Sequence, residues 1–154
     1  MTLKPWIWKS VVAGLSGTIA HSLLMYFKAR SGVLPAFQPY QSFQVALSSW
    51  SSREIPSIVP WVLSFLNGTT ILGVLFGLLN RLLPGRNGAT KGLVFGLVGW
   101  LVMGLFFFPL IGLGPFASGT GLGIAPALFS LAMLLIYSVV MGSVYAKLES
   151  WDRR

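Results

Sequence analysis

The residues of this chain most capable of chemistry are one histidine and a short polar patch. His21 is the only histidine, and Asn67, Thr69 and Thr70 lie together in a second apolar segment. A histidine ring nitrogen can bind the metal of a haem or chlorophyll, or it can form a hydrogen bond with a neighbouring helix. We favour the structural role, with cofactor binding by His21 as the alternative. Haem usually takes a second axial ligand, and the chain has no second histidine.

The polar patch has two interpretations. Hydrogen bonds between helices would satisfy the side chains of Asn67, Thr69 and Thr70. A water-filled path lined by them and by His21 would satisfy them too. An Asp or Glu is normal in the membrane part of a proton-coupled carrier, and the apolar segments here have none.

The acidic residues argue against an enzyme. Glu54, Glu149 and Asp152 are the only three carboxylates, and all lie outside the apolar segments. They are not placed to act together as general acid and base in a buried site. The chain has no cysteine, which excludes thiolate metal sites and cysteine nucleophiles. We therefore expect no catalytic residues and no metal site.

The elements that position these residues follow from two long uncharged runs. Neither the run from Ile55 to Asn80 nor the run from Gly92 to Ala146 contains a charged residue or histidine. Runs of this length indicate lipid as the solvent, and lipid requires the backbone to satisfy its own hydrogen bonds, as a helix does. The sequence predicts an all-α polytopic membrane protein, one domain over residues 1–154. The predicted spans cover about 7–27, 58–79, 92–111 and 124–146.

The basic residues predict the orientation. The net charge of +8 would suggest nucleic acid in a soluble protein, but here the charges flank apolar segments, so we expect no nucleic-acid partner. One side would hold eight basic residues and the other three, Lys28, Arg30 and Arg53. The eight are Lys4, Lys9, Arg81, Arg86, Lys91, Lys147, Arg153 and Arg154. The positive-inside rule therefore predicts that both termini are cytoplasmic, in a bacterial inner membrane.

The first outer connection contains an amphipathic stretch at about 39–52. Tyr40, Phe43, Leu47 and Trp50 recur at helical spacing, and polar residues fill the other face. The pattern predicts a short interfacial helix on the outer membrane surface. A helix packed over its own bundle is the alternative.

The chain has features of two repeated hairpins. A shift of 82 residues aligns Gly14-Leu15-Ser16-Gly17 with Gly96-Leu97-Val98-Gly99. This repeat predicts two hairpins around a pseudo-two-fold axis along the membrane normal. Small residues at spacings of four favour close helix packing, within the chain or onto another subunit. The candidate packing residues are Gly14, Gly17, Gly73, Gly77, Gly92, Gly96 and Gly142.

Several stretches resemble an uncharacterised family of short bacterial four-helix membrane proteins. They are Ala13-Gly14-Leu15 with Gly17-Thr18, Asn67-Gly68-Thr69, Leu83-Pro84-Gly85, Lys91-Gly92-Leu93-Val94-Phe95-Gly96, Pro109-Leu110-Ile111-Gly112-Leu113-Gly114, and Ile136-Tyr137 with Met141-Gly142-Ser143-Val144-Tyr145. The resemblance covers most of the chain and implies the four-helix fold without an activity. The family often has a histidine near the start of its second helix, where this chain has Ser64 and Phe65. No metal or proton role is therefore carried over.

These observations favour a non-catalytic accessory or stabilising subunit of a larger membrane complex, with respiratory or photosynthetic electron transfer as the leading setting. The alternative is a small-solute channel or carrier lined by His21 and Asn67. We expect lipid and other integral membrane subunits as partners. We expect no cofactor of the chain's own, and leave open a peripheral contact with lipid, pigment or haem.

Overall fold

The computed structural model describes residues 4–152, and the four long apolar helices are present. Arg153 and Arg154, which the orientation argument uses, lie outside the described residues. The described part of the chain is helical and contains no strand. Its first span is α1 (Pro5–Ser31), followed by the short helix α2 (Pro39–Ser51). The second span is α3 (Ile58–Leu66), a π-helical segment (Asn67–Leu72) and α4 (Gly73–Leu79). The third span is α5 (Gly88–Val102), a second π-helical segment (Met103–Phe107) and α6 (Phe108–Leu110). A 3₁₀ turn (Pro115–Thr120) then leads to the fourth span, α7 (Ala125–Trp151).

The predicted spans are confirmed as helices that are long and apolar enough to cross a membrane. Local sequence explains where several of them begin and end. Pro39 opens α2, as proline does in a first helical turn. Asn87 caps α5, its side-chain oxygen accepting a hydrogen bond of 2.8 Å from the backbone N–H of Thr90. Gly32 ends α1 in the left-handed conformation at φ 67°.

The four spans pack in the order second, first, fourth, third. α1 packs against both the second span and α7, and α7 packs against both α1 and α5. The core between them contains Phe76, Phe95, Tyr137, Met141 and Tyr145. Most of the other large apolar side chains of the spans face outward, as expected for helices whose solvent is lipid.

The two hairpins do not pack as identical halves. An exact two-fold axis would pair the third span with the second as closely as it pairs α1 with α7. Instead α4 and α5 meet mainly where the ring of Phe76 contacts that of Phe95, with centroids 5.4 Å apart. The two outer connections also differ. The segment 32–57 contains α2, which contacts both the second and the third span, whereas the connection after the third span is shorter.

The helix α2 packs across one end of the bundle, here named the α2 end. The ring of Tyr40 lies 4.2 Å from that of Trp61 in the second span, and the ring of Phe43 lies 5.4 Å from that of Phe107 in the third. Val45 and Trp50 remain exposed. These contacts match the alternative of a helix packed over its own bundle. They leave an outer face that can also meet a membrane surface.

The third span ends as its proline predicts. Pro109 lies in the last helical turn, and the helix stops at Leu110. Proline has no N–H for the carbonyl one turn earlier, and the π-helical segment immediately before it widens the turn where that bond is missing. Phe108 and Ile111 are thereby brought into a second buried cluster with Phe37, Leu113 and Ala117.

The opposite end of the bundle, the terminal end, joins the two ends of the chain. Lys9 near the start of α1 forms an ion pair with Asp152 after α7. Lys91 donates a hydrogen bond of 2.6 Å to the carbonyl oxygen of Asn80, across the connection between the second and third spans. The Lys9–Asp152 contact brings 4–9 and 147–152 together, and Gly88, which packs on Gly142 and Ala146, places the connection 80–91 toward the same end. The charge pattern predicts this grouping.

Candidate functional site

His21 contacts the fourth span. Its side chain is half-buried, and its ring meets that of Tyr137 edge to face, with centroids 6.5 Å apart at 88°. Within residues 4–152, neither His21 nor the amide of Asn67 forms a hydrogen bond with the other. The structure therefore shows no hydrogen bond between these two residues, and the ring contact of His21 is with Tyr137.

The polar patch of the second span divides among three environments. Thr69 is buried, and its hydroxyl has no hydrogen-bond partner among the described residues. Thr70 is exposed, and its hydroxyl donates a hydrogen bond of 2.6 Å to the carbonyl oxygen of Leu66. Asn67 is exposed. The three side chains therefore do not line one path.

The π-helical segment explains this division. Its wider turn points successive side chains in directions that differ from those in an α-helix. It also leaves some backbone carbonyls outside the regular helical hydrogen-bond pattern. One such carbonyl, that of Gly68, accepts a hydrogen bond of 2.6 Å from the Tyr137 hydroxyl. Thr18 of α1 packs against the same glycine, since a Cβ at Gly68 would lie 2.5 Å from the threonine hydroxyl oxygen. Three spans thus meet around Gly68.

The glycines of the first hairpin bring backbones into contact. A Cβ at Gly14 would lie 2.5 Å from the carbonyl oxygen of Thr69, and one at Gly73 would lie 2.6 Å from that of Ser10. Gly17 is equally close to the fourth span, where its Cβ would lie 2.7 Å from the Tyr137 carbonyl oxygen. Gly77 packs on the Ser10 hydroxyl.

The glycines of the second hairpin do the same between α5 and α7. Gly92 and Gly96 both pack on Ser138, and Gly142 packs on Gly88 and Gly92. All seven candidate packing glycines therefore face another helix of this chain. Their surfaces are occupied within the monomer.

Tyr137 and Lys28 are important residues that the sequence reasoning passed over. A tyrosine in mid-span is a usable signal, because its hydroxyl needs a partner in lipid. Lys28 lies one turn before the end of α1, with its ammonium directed inward. Its Nζ donates to the carbonyl oxygens of Phe37, at 2.6 Å, and Leu34, at 3.3 Å.

Lys28 lies between two clefts at the α2 end. One, of about 350 Å³, is also lined by Tyr40, Gln44 and Trp61. Burial raises the pKa of Tyr40 to about 12, although a hydrogen bond with Ser64 opposes the rise. The phenol is therefore neutral at physiological pH. The other cleft, of about 410 Å³, lies between α1 and α7.

Residues 4–152 contain no group of three His, Asp or Glu side chains placed to hold a metal ion. In this part of the chain, His21 has an aromatic neighbour, Tyr137, and the acidic Asp152 is paired with Lys9.

Comparison with known protein families identifies a family that matches this chain. A family of unknown function, DUF6789, matches residues 6–154, which include the last three spans and all of α1 except its first residue. The chain belongs to this family. No curated protein and no solved structure matches the chain. Membership in DUF6789 carries no activity with it, so the functional argument rests on the geometry.

Proposed function

We propose that this DUF6789 protein is a non-catalytic accessory or stabilising subunit of a larger complex in the bacterial inner membrane. A complex of respiratory or photosynthetic electron transfer is the first class to test. The observation that carries the proposal is Asn67, a polar amide on the exposed surface in the middle of the second span.

An amide exposed at this depth is expensive in lipid. The Asn67 side chain has no hydrogen-bond partner among residues 4–152, and its neighbours Leu66 and Ile71 are exposed apolar side chains. Transfer of an unpaired amide from water to hydrocarbon costs several kcal/mol. A helix of another subunit that offers a hydrogen-bonding group would remove that cost. The amide therefore marks the second span as a docking face.

The rest of the exposed surface also favours the second span as the docking face. The glycines that allow close approach are already used inside the monomer, which removes them as docking positions. The second span packs on α1 along one side and leaves Val62, Phe65, Leu75 and Leu78 uncovered. A partner helix packed there would cover apolar side chains and the amide together.

A solute channel is less well supported by the geometry. It needs His21 and Asn67 on one path, yet His21 contacts Tyr137 while Asn67 is exposed. The Thr70 hydroxyl donates its hydrogen bond to a carbonyl oxygen of its own helix. We therefore develop the subunit proposal alone.

The test is gentle purification of the tagged chain from its own bacterium, followed by size analysis and mass spectrometry. The wild type is expected to co-migrate with other integral membrane proteins. Asn67→Leu replaces the amide with an apolar side chain of the same branched shape and is expected to release them. Thr70→Val is the matched control, because it removes an exposed hydroxyl of the same segment that already has an internal partner.

Two results would contradict the proposal. A wild-type chain that always runs alone in mild detergent would remove the complex. An Asn67→Leu variant that retains every partner as well as Thr70→Val does would remove the docking face assigned to the second span. An absorption spectrum of the purified particle would show whether a pigment or haem accompanies it.

A further inference from the structure

The cleft of about 410 Å³ between α1 and α7 combines an apolar wall with a cationic rim. Leu24, Phe27 and Lys28 lie on one face of α1, at the spacing of successive helical turns. Phe129 and Met133 face them from α7. Arg30 borders the cleft at the end of α1. Leu24 lies one turn deeper along α1 than Lys28, and Met133 lies one turn deeper along α7 than Phe129, so the cleft is purely apolar at its deeper end and cationic near the helix end.

The charge of Lys28 is incompletely compensated by the protein. Its side chain is buried, and two carbonyl oxygens and the rings of Phe37 and Phe129 surround the ammonium. Within the described residues, Lys28 has no carboxylate within ion-pair distance. A buried charge without a counter-ion is costly, so an anion that enters the cleft is favoured.

Arg30 extends the cationic rim into solvent. It is exposed, and its guanidinium lies over the ring of Tyr26 at 5.2 Å. A contact with the face of a ring leaves the N–H donors of the guanidinium available to an anion. A guanidinium is well suited to the oxygens of a phosphate.

The geometry points to a binding site for one anionic phospholipid, with an acyl chain against Leu24 and Met133 and the phosphate at Lys28 and Arg30. Charge complementarity and the depth order of the two surfaces select this occupant. A zwitterionic lipid carries its own ammonium beside the phosphate, which cancels much of the attraction to the rim. Basic pockets between transmembrane helices bind anionic headgroups by the same physics. This inference is independent of the docking face at Asn67.

The test uses native mass spectrometry of the purified full chain in detergent. Phosphatidylglycerol and phosphatidylcholine with identical acyl chains are added separately, and the bound fraction is compared. The wild type is expected to retain one phosphatidylglycerol at lipid concentrations that leave phosphatidylcholine unbound. Arg30→Gln is expected to reduce the preference about fivefold, as removal of one interfacial charge should.

Two further variants sharpen the result. Lys28→Gln removes the charge but keeps N–H donors for the carbonyls of Phe37 and Leu34, and it should also weaken the preference. Because Arg30 is exposed, Arg30→Gln tests the site even where Lys28→Gln does not fold. Arg53→Gln is the control, since Arg53 is an exposed cation of the connection after α2 and does not line the cleft. Equal retention of both lipids by the wild type, or an equal loss in Arg53→Gln, would overturn the inference.

Discussion

Tyr137 shows how one side chain can join three spans. Its hydroxyl bonds the Gly68 carbonyl of the second span, while its ring and backbone meet His21 and Gly17 of the first. Water is not available at this depth to replace the hydrogen bond. The contact therefore contributes to the packing of α7 against both neighbours.

Tyr137→Phe removes only that hydrogen bond. We expect it to lower the free energy of unfolding by about 1 kcal/mol, the usual size for a hydrogen bond between transmembrane helices. Unfolding of the reconstituted chain in mixed micelles with increasing denaturing detergent measures the change. Tyr26→Phe is the control, since Tyr26 is largely exposed, and a loss of equal size there would contradict the assignment.

Gly14 offers a sharper test of backbone contact. Gly14→Ala would force a Cβ to within 2.5 Å of the Thr69 carbonyl oxygen, and backbone atoms cannot move aside cheaply. We expect a loss of about 1–3 kcal/mol from overpacking. At Gly99 the nearest atom is the Leu134 Cδ2 at 3.5 Å, an ordinary contact. Gly99→Ala should be neutral or stabilising by up to about 1 kcal/mol, because alanine is the better helix former. Equal effects in the two variants would contradict the role of close approach.

The sequence identifies which polar residues enter the spans but not which way they face. His21 and Asn67 stand out against apolar neighbours, but their positions along the spans do not show whether they face each other. The π-helical segment that starts at Asn67 changes the phase of the second span, and no sequence pattern announces it. The directions in which the side chains of Thr69 and Thr70 point depend on the same change of helix phase.

At the scale of elements, the four spans and α2 could be predicted because uncharged length and amphipathic spacing are direct consequences of burial in lipid. Pro39 and Pro109 fix two boundaries through their missing N–H groups. The position of α2 could not be predicted. Tyr40 and Phe43 would suit a lipid surface as well as they suit Trp61 and Phe107, so only their contacts distinguish the two.

The contact of α2 with the bundle can be tested through Phe43. Phe43→Ala removes the ring packed on Phe107 and should destabilise the fold by about 1–2 kcal/mol, the value of a partly buried aromatic pair. Val45→Ala alters the exposed face of α2 and should cost little. Limited proteolysis within 52–57 reports the detachment of α2 directly. Unchanged protection in Phe43→Ala would show that α2 is held by other contacts.

At the scale of the whole molecule, the repeat and the connections impose different arrangements. Two similar hairpins favour equivalent packing, yet α1 pairs with α7 more fully than α5 pairs with the second span. The rings of Tyr40 and Phe43 occupy the α2 end of the gap between the second and third spans. The two hairpins are therefore unequal in their packing, and the second span has an exposed face that carries Asn67.

The orientation of the whole molecule gives the last prediction. The chain has no cysteine, so each introduced cysteine is the only thiol available for labelling. Ser49 in α2 and Ser118 in the 3₁₀ turn are exposed at one end of the bundle, and Ser150 is exposed at the other, near the Lys9–Asp152 ion pair. The positive-inside rule predicts that a membrane-impermeant thiol reagent labels Ser49→Cys and Ser118→Cys in intact spheroplasts. Ser150→Cys should react only after lysis, while a permeant reagent should label all three. Labelling of Ser150→Cys before lysis, with the other two protected, would reverse the topology. It would also place the cationic rim of Lys28 and Arg30 in the cytoplasmic leaflet.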